Sequence, residues 1–555
     1  MADKASKMCT CGKWAIALGI IPVLSLCLKG QTLPLNVPLA REMVQRGQLA
    51  GIISTDRSGN LWPAPYRSMF SMALGADLDT VRNRFFALTP LPLVSKQRLT
   101  TRHPDGMNDG IMIPARGFQT YWSAGIFLKA GPLEIQAMPE WVHARNGSFP
   151  EENLFFGPNN NSNYRAFMGS VEIPFRFGTE PYTRLGWGQS SVKLAIGPLA
   201  AGISNENVWW GPGRNNALMM TNNAPGFLHA TLSTRRPLKT PVGHFEFEVI
   251  GGYLEPSGFN GRTGKRTSYL NSGMISFQPR FLPGLSGGLT RSFQQKPEKY
   301  ASWRGYMPIL SGITKVTLGG TIEDLIQRNQ LLSVFARYLL PKAHAEFYFE
   351  FGKEDHNWDL RDIILEYAHS RVYLFGLRKM TPIGALPGQF LHLGLEISHL
   401  GAPLMTANRN KGLFSAADFY SYGPFNGYTY SGQWLGAGIG SGGSQAMLEL
   451  SWIRGMKRIG LIADRRAHEL DYSNGTWPTN TNFRWVDLSL TPVVDWDFGR
   501  FLLHFTSRNV RSLNYRHQFI PRLNEEGKPT FKGKGLYNLL TELQVTYFLS
   551  KPAGR

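Results

Sequence analysis

"HAEFYFEFGKE", residues His344 to Glu354, is the stretch whose reading decides the fold. Ala345, Phe347, Phe349 and Phe351 fall on one side of an extended chain, and His344, Glu346, Tyr348 and Glu350 on the other, because successive side chains of a strand point to opposite faces. "HFEFEVIGGYLE", from His244, repeats the pattern, with Phe245, Phe247 and Val249 opposite Glu246 and Glu248. The final run "ELQVTYFLS" repeats it again with Leu543, Val545 and Tyr547. Alternation alone is ambiguous, since the apolar face could be the core of a soluble sandwich.

The connections resolve the ambiguity. "RPLKTPVG", "PRFLPGLSG" and "LLPKAH" are tight Pro/Gly turns, whereas Pro256 to Thr267, Gln294 to Gly312, Ala402 to Gly432, Arg465 to Phe483 and Val510 to Gly535 are long and polar. Short turns alternating with long loops, over roughly 16 to 18 strand-length runs, are the pattern of a transmembrane barrel with a wide lumen. Closure is what makes strands viable in lipid, because a closed barrel has no unpaired edge. The expected fold is therefore all-β, a large antiparallel outer-membrane β-barrel of roughly 16 to 18 strands, carrying charged side chains inside. Trp187, Trp303, Trp452 and Trp496, near strand ends, suit interfacial girdles, although tryptophans packed in the lumen would read the same way.

Bulk composition agrees. The chain has 555 residues, 60 of them glycine, with 12% aromatic and only 18% charged residues, which favours strands and glycine-rich turns over helical bundles. Mean hydropathy is -0.21, too low for a protein made of membrane helices. Lys4, Lys7 and Lys13 precede the apolar run "WAIALGIIPVLSLCL", and polar "KGQT" follows, so residues 1–30 read as an export signal. Cys9, Cys11 and Cys27 all lie in that segment, which excludes disulfides and thiolate metal sites from the exported part. The net charge of +20 points to anionic partners such as lipid phosphates or acidic polysaccharide, and outside the cytoplasm nucleic acid is not expected.

Residues 31–112 behave differently from the rest. "PLAREMVQRGQLAGII" has helical apolar spacing, and "ADLDTVRNRFFAL" has it too, with Asp77 or Asp79 as caps. The expected organisation is a partly helical periplasmic or plug segment over 31–112, with a partly ordered linker as the alternative, and a barrel over 113–555.

Four blocks in fixed order, "SNENVWWGPGRNNALMMTNNAPGF", "GHFEFEVIGGYLE", "FEFGKEDHNWDLRDIILEYAHSR" and "YSGQWLGAGIGSGG", closely resemble the Wzi-type capsule assembly family of Gram-negative outer membranes. The resemblance runs from about Arg116 to the end of the chain. It implies a barrel of about 18 strands with a small helical part on the periplasmic side, a lectin rather than an enzyme, and a role in attaching capsular polysaccharide to the cell surface. Outer-membrane lipid and capsule export machinery are the further partners it suggests.

The first block carries the candidate chemistry. Strand bookkeeping from the tight turn at Arg236 to Gly243 puts Asn205 to Asn223 at the long-loop end, at the mouth or folded down into it. Trp209 and Trp210 could offer a face to a sugar ring, Arg214 could pair with an acidic sugar, and Asn215, Asn216, Asn222 and Asn223 could exchange hydrogen bonds with hydroxyls. The alternative is structural, with Gly211-Pro212-Gly213 setting a rigid turn and the tryptophans packing inward. In "KEDHNWDLRD", Glu354, Asp355, His356 and Arg361 form a second polar candidate cluster with Asp359 and Asp362, for which an ion-pair network explains the mixture as well as a metal or a carboxylate pair would. "GAGIGSGG", Gly436 to Gly443, interrupts strand-like sequence and reads as a flexible turn rather than a phosphate loop. No catalytic motif, cofactor or metal site is expected. A channel for anionic solutes or sugars is the competing function, and the state of the lumen discriminates between them.

Overall fold

Phenylalanine and glutamate alternating along one strand are both satisfied when an apolar medium lies on one side and polar groups on the other, so which face is outside decides the fold. The computed structural model of the chain describes residues 31–33, 35–66, 86–150, 164, 166–259, 267–297, 303–310, 328–354, 370–384, 388–402, 419–421, 427–477, 481–523, 525–527 and 529–549. In the strand Ala345–Glu354, Phe347 and Phe349 are 41% and 45% exposed, while Glu346, Tyr348 and Glu350 keep 2%, 3% and 0%. The apolar face is thus outside, as in a membrane barrel and opposite to a soluble sandwich.

Among the described residues the wall consists of 23 strand segments. Five of its staves are interrupted and contribute two segments each, the first being Phe86–Pro90 with Leu93–Thr100 and the fifth His229–Thr234 with Leu238–Lys239. That leaves 18 staves, each antiparallel to its neighbours in chain order. The last strand, Leu536–Tyr547, pairs with the first from Leu540 opposite Thr100 to Tyr547 opposite Leu93, closing the barrel.

The barrel starts earlier than the sequence suggests. Phe86–Pro90 is strand, not the end of a helix, and the wall begins there rather than at Ile113. Phe86 and Leu88 are exposed on the lipid face; a short apolar run fits both periodicities, and the need to close the sheet selects the strand. Of the four tryptophans read as girdle residues, Trp452 and Trp496 lie near the short-turn end, the latter with the Lys457 ammonium 4.5 Å from its ring. Trp187 instead sits in the gap between Tyr182–Gly186 and Ser191–Ile196, part-way up the wall and 77% exposed. The side chain of Trp303, the proposed signal at 1–30 and most of the cluster Lys353–Asp362 lie outside the described residues.

The expected N-terminal helix is present and lies inside the barrel. It spans Pro38–Leu49, started by proline at its first turn, where a missing N–H costs nothing. Leu39, Met43 and Val44 pack against Trp62, Met112, Tyr121, Met138 and Trp209. A second apolar cluster joins Trp210, Leu218, Met219 and Met220 to Phe419, Tyr420, Tyr428 and Leu435. The hydrophobic core of this protein is therefore the filling of its lumen.

Candidate functional site

The segment 205–228 leaves the strand Leu199–Ser204 at the long-loop end and turns down into the lumen before His229–Thr234 resumes the wall. Trp209 and Trp210 pair as a two-residue ribbon with Trp62 and Leu61 of the plug. Gly211 takes φ +118, which side chains rarely adopt, and its N–H donates to Asn60 O at 2.8 Å. Gly213 is fixed by space, since a Cβ there would lie 1.9 Å from the Asn216 carbonyl oxygen. Carboxylates on the inward faces of three strands grip this segment. Glu396 accepts the backbone N–H groups of Arg214, Asn215 and Asn216 at 2.8, 3.1 and 2.9 Å, with the Tyr348 hydroxyl at 2.8 Å. Glu350 accepts Leu218 N–H at 3.2 Å, and Glu248 accepts the Trp210 indole N–H at 3.1 Å.

Below the turn, charges from plug, inserted segment and wall join across the lumen. Glu42 meets Arg214 at 2.9 Å, Arg378 at 2.8 Å and Arg46 at 2.9 Å. Arg46 reaches Asp495 at 3.2 Å; Asp495 pairs with Arg458 at 2.7 Å, and Arg458 with Glu449 at 3.1 Å, which Arg214 also contacts. Glu346 bridges Arg378 at 3.1 Å and Arg337 at 2.6 Å. Burial alone would raise the Glu42 carboxyl, but the guanidiniums of Arg214, Arg378 and Arg46 outweigh it and hold the group well below the usual carboxylate range. Such a network is costly to bury and destabilising to break, because each lost partner strands a charge.

The long-loop mouth is different. A cavity of about 160 Å³ is lined there by Trp434, Trp485, His468, Arg466, Asp487 and Asp105, with Gly438 to Ser441 and Phe167 completing it. The His468 ring stacks on Trp485 at 3.9 Å and 15°, and Asp487 orients both, lying 2.9 Å from His468 Nε2 and 2.9 Å from the Trp485 indole nitrogen. Asp105 is paired with Arg508; burial raises its carboxyl, and Arg508 and Arg466 more than reverse this, leaving it below the ordinary value. His103, stacked on Tyr515 at 4.1 Å, is shifted down by burial. Arg466 reaches Asp464 at 3.2 Å through one terminal nitrogen, while its buried Nε has no hydrogen-bond partner. Aromatic rings, ordered carboxylates and a guanidinium with spare capacity around a small cavity are the chemistry that recognises hydroxyl-rich or acidic rings.

The residues singled out from sequence are not the ones that line this cavity. Trp209 and Trp210 are buried, and the Arg41 guanidinium covers the Trp209 ring at 3.6 Å, so the expected sugar platform is corrected to a packing element. Arg214 is engaged by Glu42 and Glu449, and Asn215 donates to Gln445 at 3.1 Å. Asn222 donates to Asn108 O at 3.2 Å and Asn223 to Trp434 O at 3.0 Å, just beneath the cavity. Glu354 accepts Asn329 Nδ2 at 2.6 Å and Tyr420 N–H at 2.5 Å, an anchor rather than an open ligand group. Asp355, His356 and Arg361 lie outside the described residues. "GAGIGSGG" is not a flexible turn: it is largely buried in the cavity wall, where a Cβ on Gly440 would lie 2.4 Å from the Trp434 indole nitrogen. Trp434 itself was visible in the block "YSGQWLGAGIGSGG", but its partners come from distant strands.

A solved structure shares this architecture. The chain is similar over 94% of its length to a solved structure of Wzi from Escherichia coli, an outer membrane protein involved in group 1 capsule assembly and a carbohydrate-binding β-barrel, with 99% of that chain covered, 11% identity and a TM-score of 0.56. Acinetobacter baumannii OccAB4 (11% identity, 84% of this chain, 98% of that chain) and Pseudomonas aeruginosa OprD (10%, 84% and 94%) follow at TM-scores of 0.37 and 0.35, too low to carry functional weight. Among curated proteins no sequence matches. The family model described as capsule assembly protein Wzi matches residues 159–474, more than half of the chain. The chain belongs to the Wzi capsule assembly family.

Proposed function

We propose that this chain is a non-enzymatic outer-membrane barrel that binds capsular polysaccharide at its long-loop mouth and helps hold the capsule on the cell surface. The observation that carries the reading is the mouth cavity, lined by Trp434, Trp485 and Arg466, whose buried Nε has no hydrogen-bond partner, above a lumen filled by its own ion pairs. A polymer presents the same sugar repeatedly, so weak binding at one cavity per barrel is multiplied across many barrels. Membership of the capsule assembly family and the description of the Escherichia coli relative as carbohydrate-binding support this reading. The mouth faces outward because long loops lie on the outer side of such barrels.

The test is the partition of surface polysaccharide between cell pellet and culture supernatant in a deletion strain. Release into the supernatant with unchanged total synthesis, reversed by the intact chain but not by the Arg466→Ala chain, is expected. An unchanged partition overturns attachment and leaves conductance as the property to measure.

A further inference from the structure

The outer wall carries a second site, on the lipid face. Pairing register places Ala446, Arg465, Leu488, Arg511 and Tyr537 side by side on five consecutive strands. Arg465, Arg511 and Tyr537 are exposed, the Arg511 guanidinium lies 5.8 Å from the Tyr537 ring, and neither arginine has an ion-pair partner among the described residues. One step down, Leu448, Ala463, Leu490 and Asn509 form the adjoining row. Ala446 and Ala463, flanked by leucines, open a hollow of about 710 Å³ lined by both rows.

Height along the wall says what covers it. Lys457, near the short-turn end of the same strand, and Arg465 bracket the outward Ile459, Leu461 and Ala463. Eight residues at about 3.3 Å each, tilted roughly 40°, rise about 20 Å, close to the ~25 Å apolar band of such barrels. Arg465 therefore stands at the far edge of the hydrocarbon, where a lipid head group meets its chains, with Arg511 two strands or about 10 Å away along the pairing direction.

We propose that this hollow binds a lipid whose head carries net-negative phosphate, with Arg465 and Arg511 on the phosphate and an acyl chain against Leu448, Ala463 and Leu490. Neither arginine takes part in the mouth cavity or the lumen network, so the site is independent of polysaccharide binding.

Native mass spectrometry of the full chain in detergent, titrated with phosphatidylglycerol or phosphatidylcholine, tests it. Phosphatidylglycerol is expected to bind more tightly, and the R465A/R511A chain to lose about 30-fold of that affinity, while R465K/R511K keeps most of it. A463F, which fills the hollow from the lipid side without touching the core, is expected to weaken binding several-fold and keeps the test open should the double alanine chain not fold. Equal binding of the two lipids overturns the proposal, as does retention in both R465A/R511A and A463F. Complete displacement by inorganic phosphate also overturns it, reducing the site to a bare anion patch.

Discussion

The centre of the lumen and its long-loop mouth are built from the same residue types, yet they are in opposite states. At the centre, Arg214 is held by Glu42 and Glu449, Trp210 by Glu248, and the turn at Arg214–Asn216 by Glu396. At the mouth, Trp434 and Trp485 stand beside a cavity and Arg466 keeps a nitrogen without a partner. What separates a packing element from a recognition surface is thus the pairing of each polar group, not its identity.

The largest expected effect comes from breaking the centre. Arg214→Ala takes one guanidinium from Glu42, which keeps Arg378 and Arg46, and one from Glu449, which keeps Arg458, and is expected to destabilise the barrel by about 3 kcal/mol, measured by unfolding in denaturant. A loss under about 1 kcal/mol would mean that the network is no tighter than surface ion pairs. Appearance of ion conductance in planar bilayers with the same substitution would identify the network as what blocks the lumen.

Acid distinguishes the two regions by the order in which they fail. His103 at the mouth has its folded pKa lowered by burial, so the unfolded chain takes up its proton first and stability starts to fall below about pH 6.5. Glu42 at the centre also has a lowered folded pKa; its contribution is complete above about pH 4.3 and is lost as pH falls through the folded value. A thermal midpoint recorded against pH should show a shallow decline and then a steeper one, and His103→Gln should lessen the first and leave the second unchanged. A single transition untouched by that substitution would contradict the assignment.

Smaller effects sharpen the mouth. Arg466→Lys keeps the charge beside Asp464 but loses Nε, so affinity for capsule oligosaccharide is expected to drop roughly tenfold, with the unfolding midpoint unchanged. Trp187→Ala, on the lipid-exposed wall away from both regions, is expected to stay within about 0.5 kcal/mol of the parent and to leave oligosaccharide binding intact.

The wall was legible because strand alternation is a local property. Phe347 and Glu350 report their faces from their own neighbours in sequence, and the turns after Arg236 and Leu339 report the short-turn end. The plug helix was legible for the same reason. Phe86–Pro90 was not, because its apolar run fits a helix equally well until Ile126–Ala130 lies beside it. The mouth was illegible as a site: His468 and Asp487 are 19 residues apart in sequence and meet through the pairing of their two strands, and Trp434 reaches them from a separate inserted loop.

By itself the sequence determined the barrel class, the inside and outside of its strands, the helix ahead of them and the family resemblance, since each rests on local periodicity or on an ordered run of residues. Only the tertiary structure decided that the tryptophan pair and Arg214 are fully engaged within the lumen, while Trp434, Trp485 and Arg466 line a cavity and Arg466 keeps an unpaired nitrogen. Whether a polar group is satisfied depends on what the closed wall puts opposite it, and that partner lies far away along the chain.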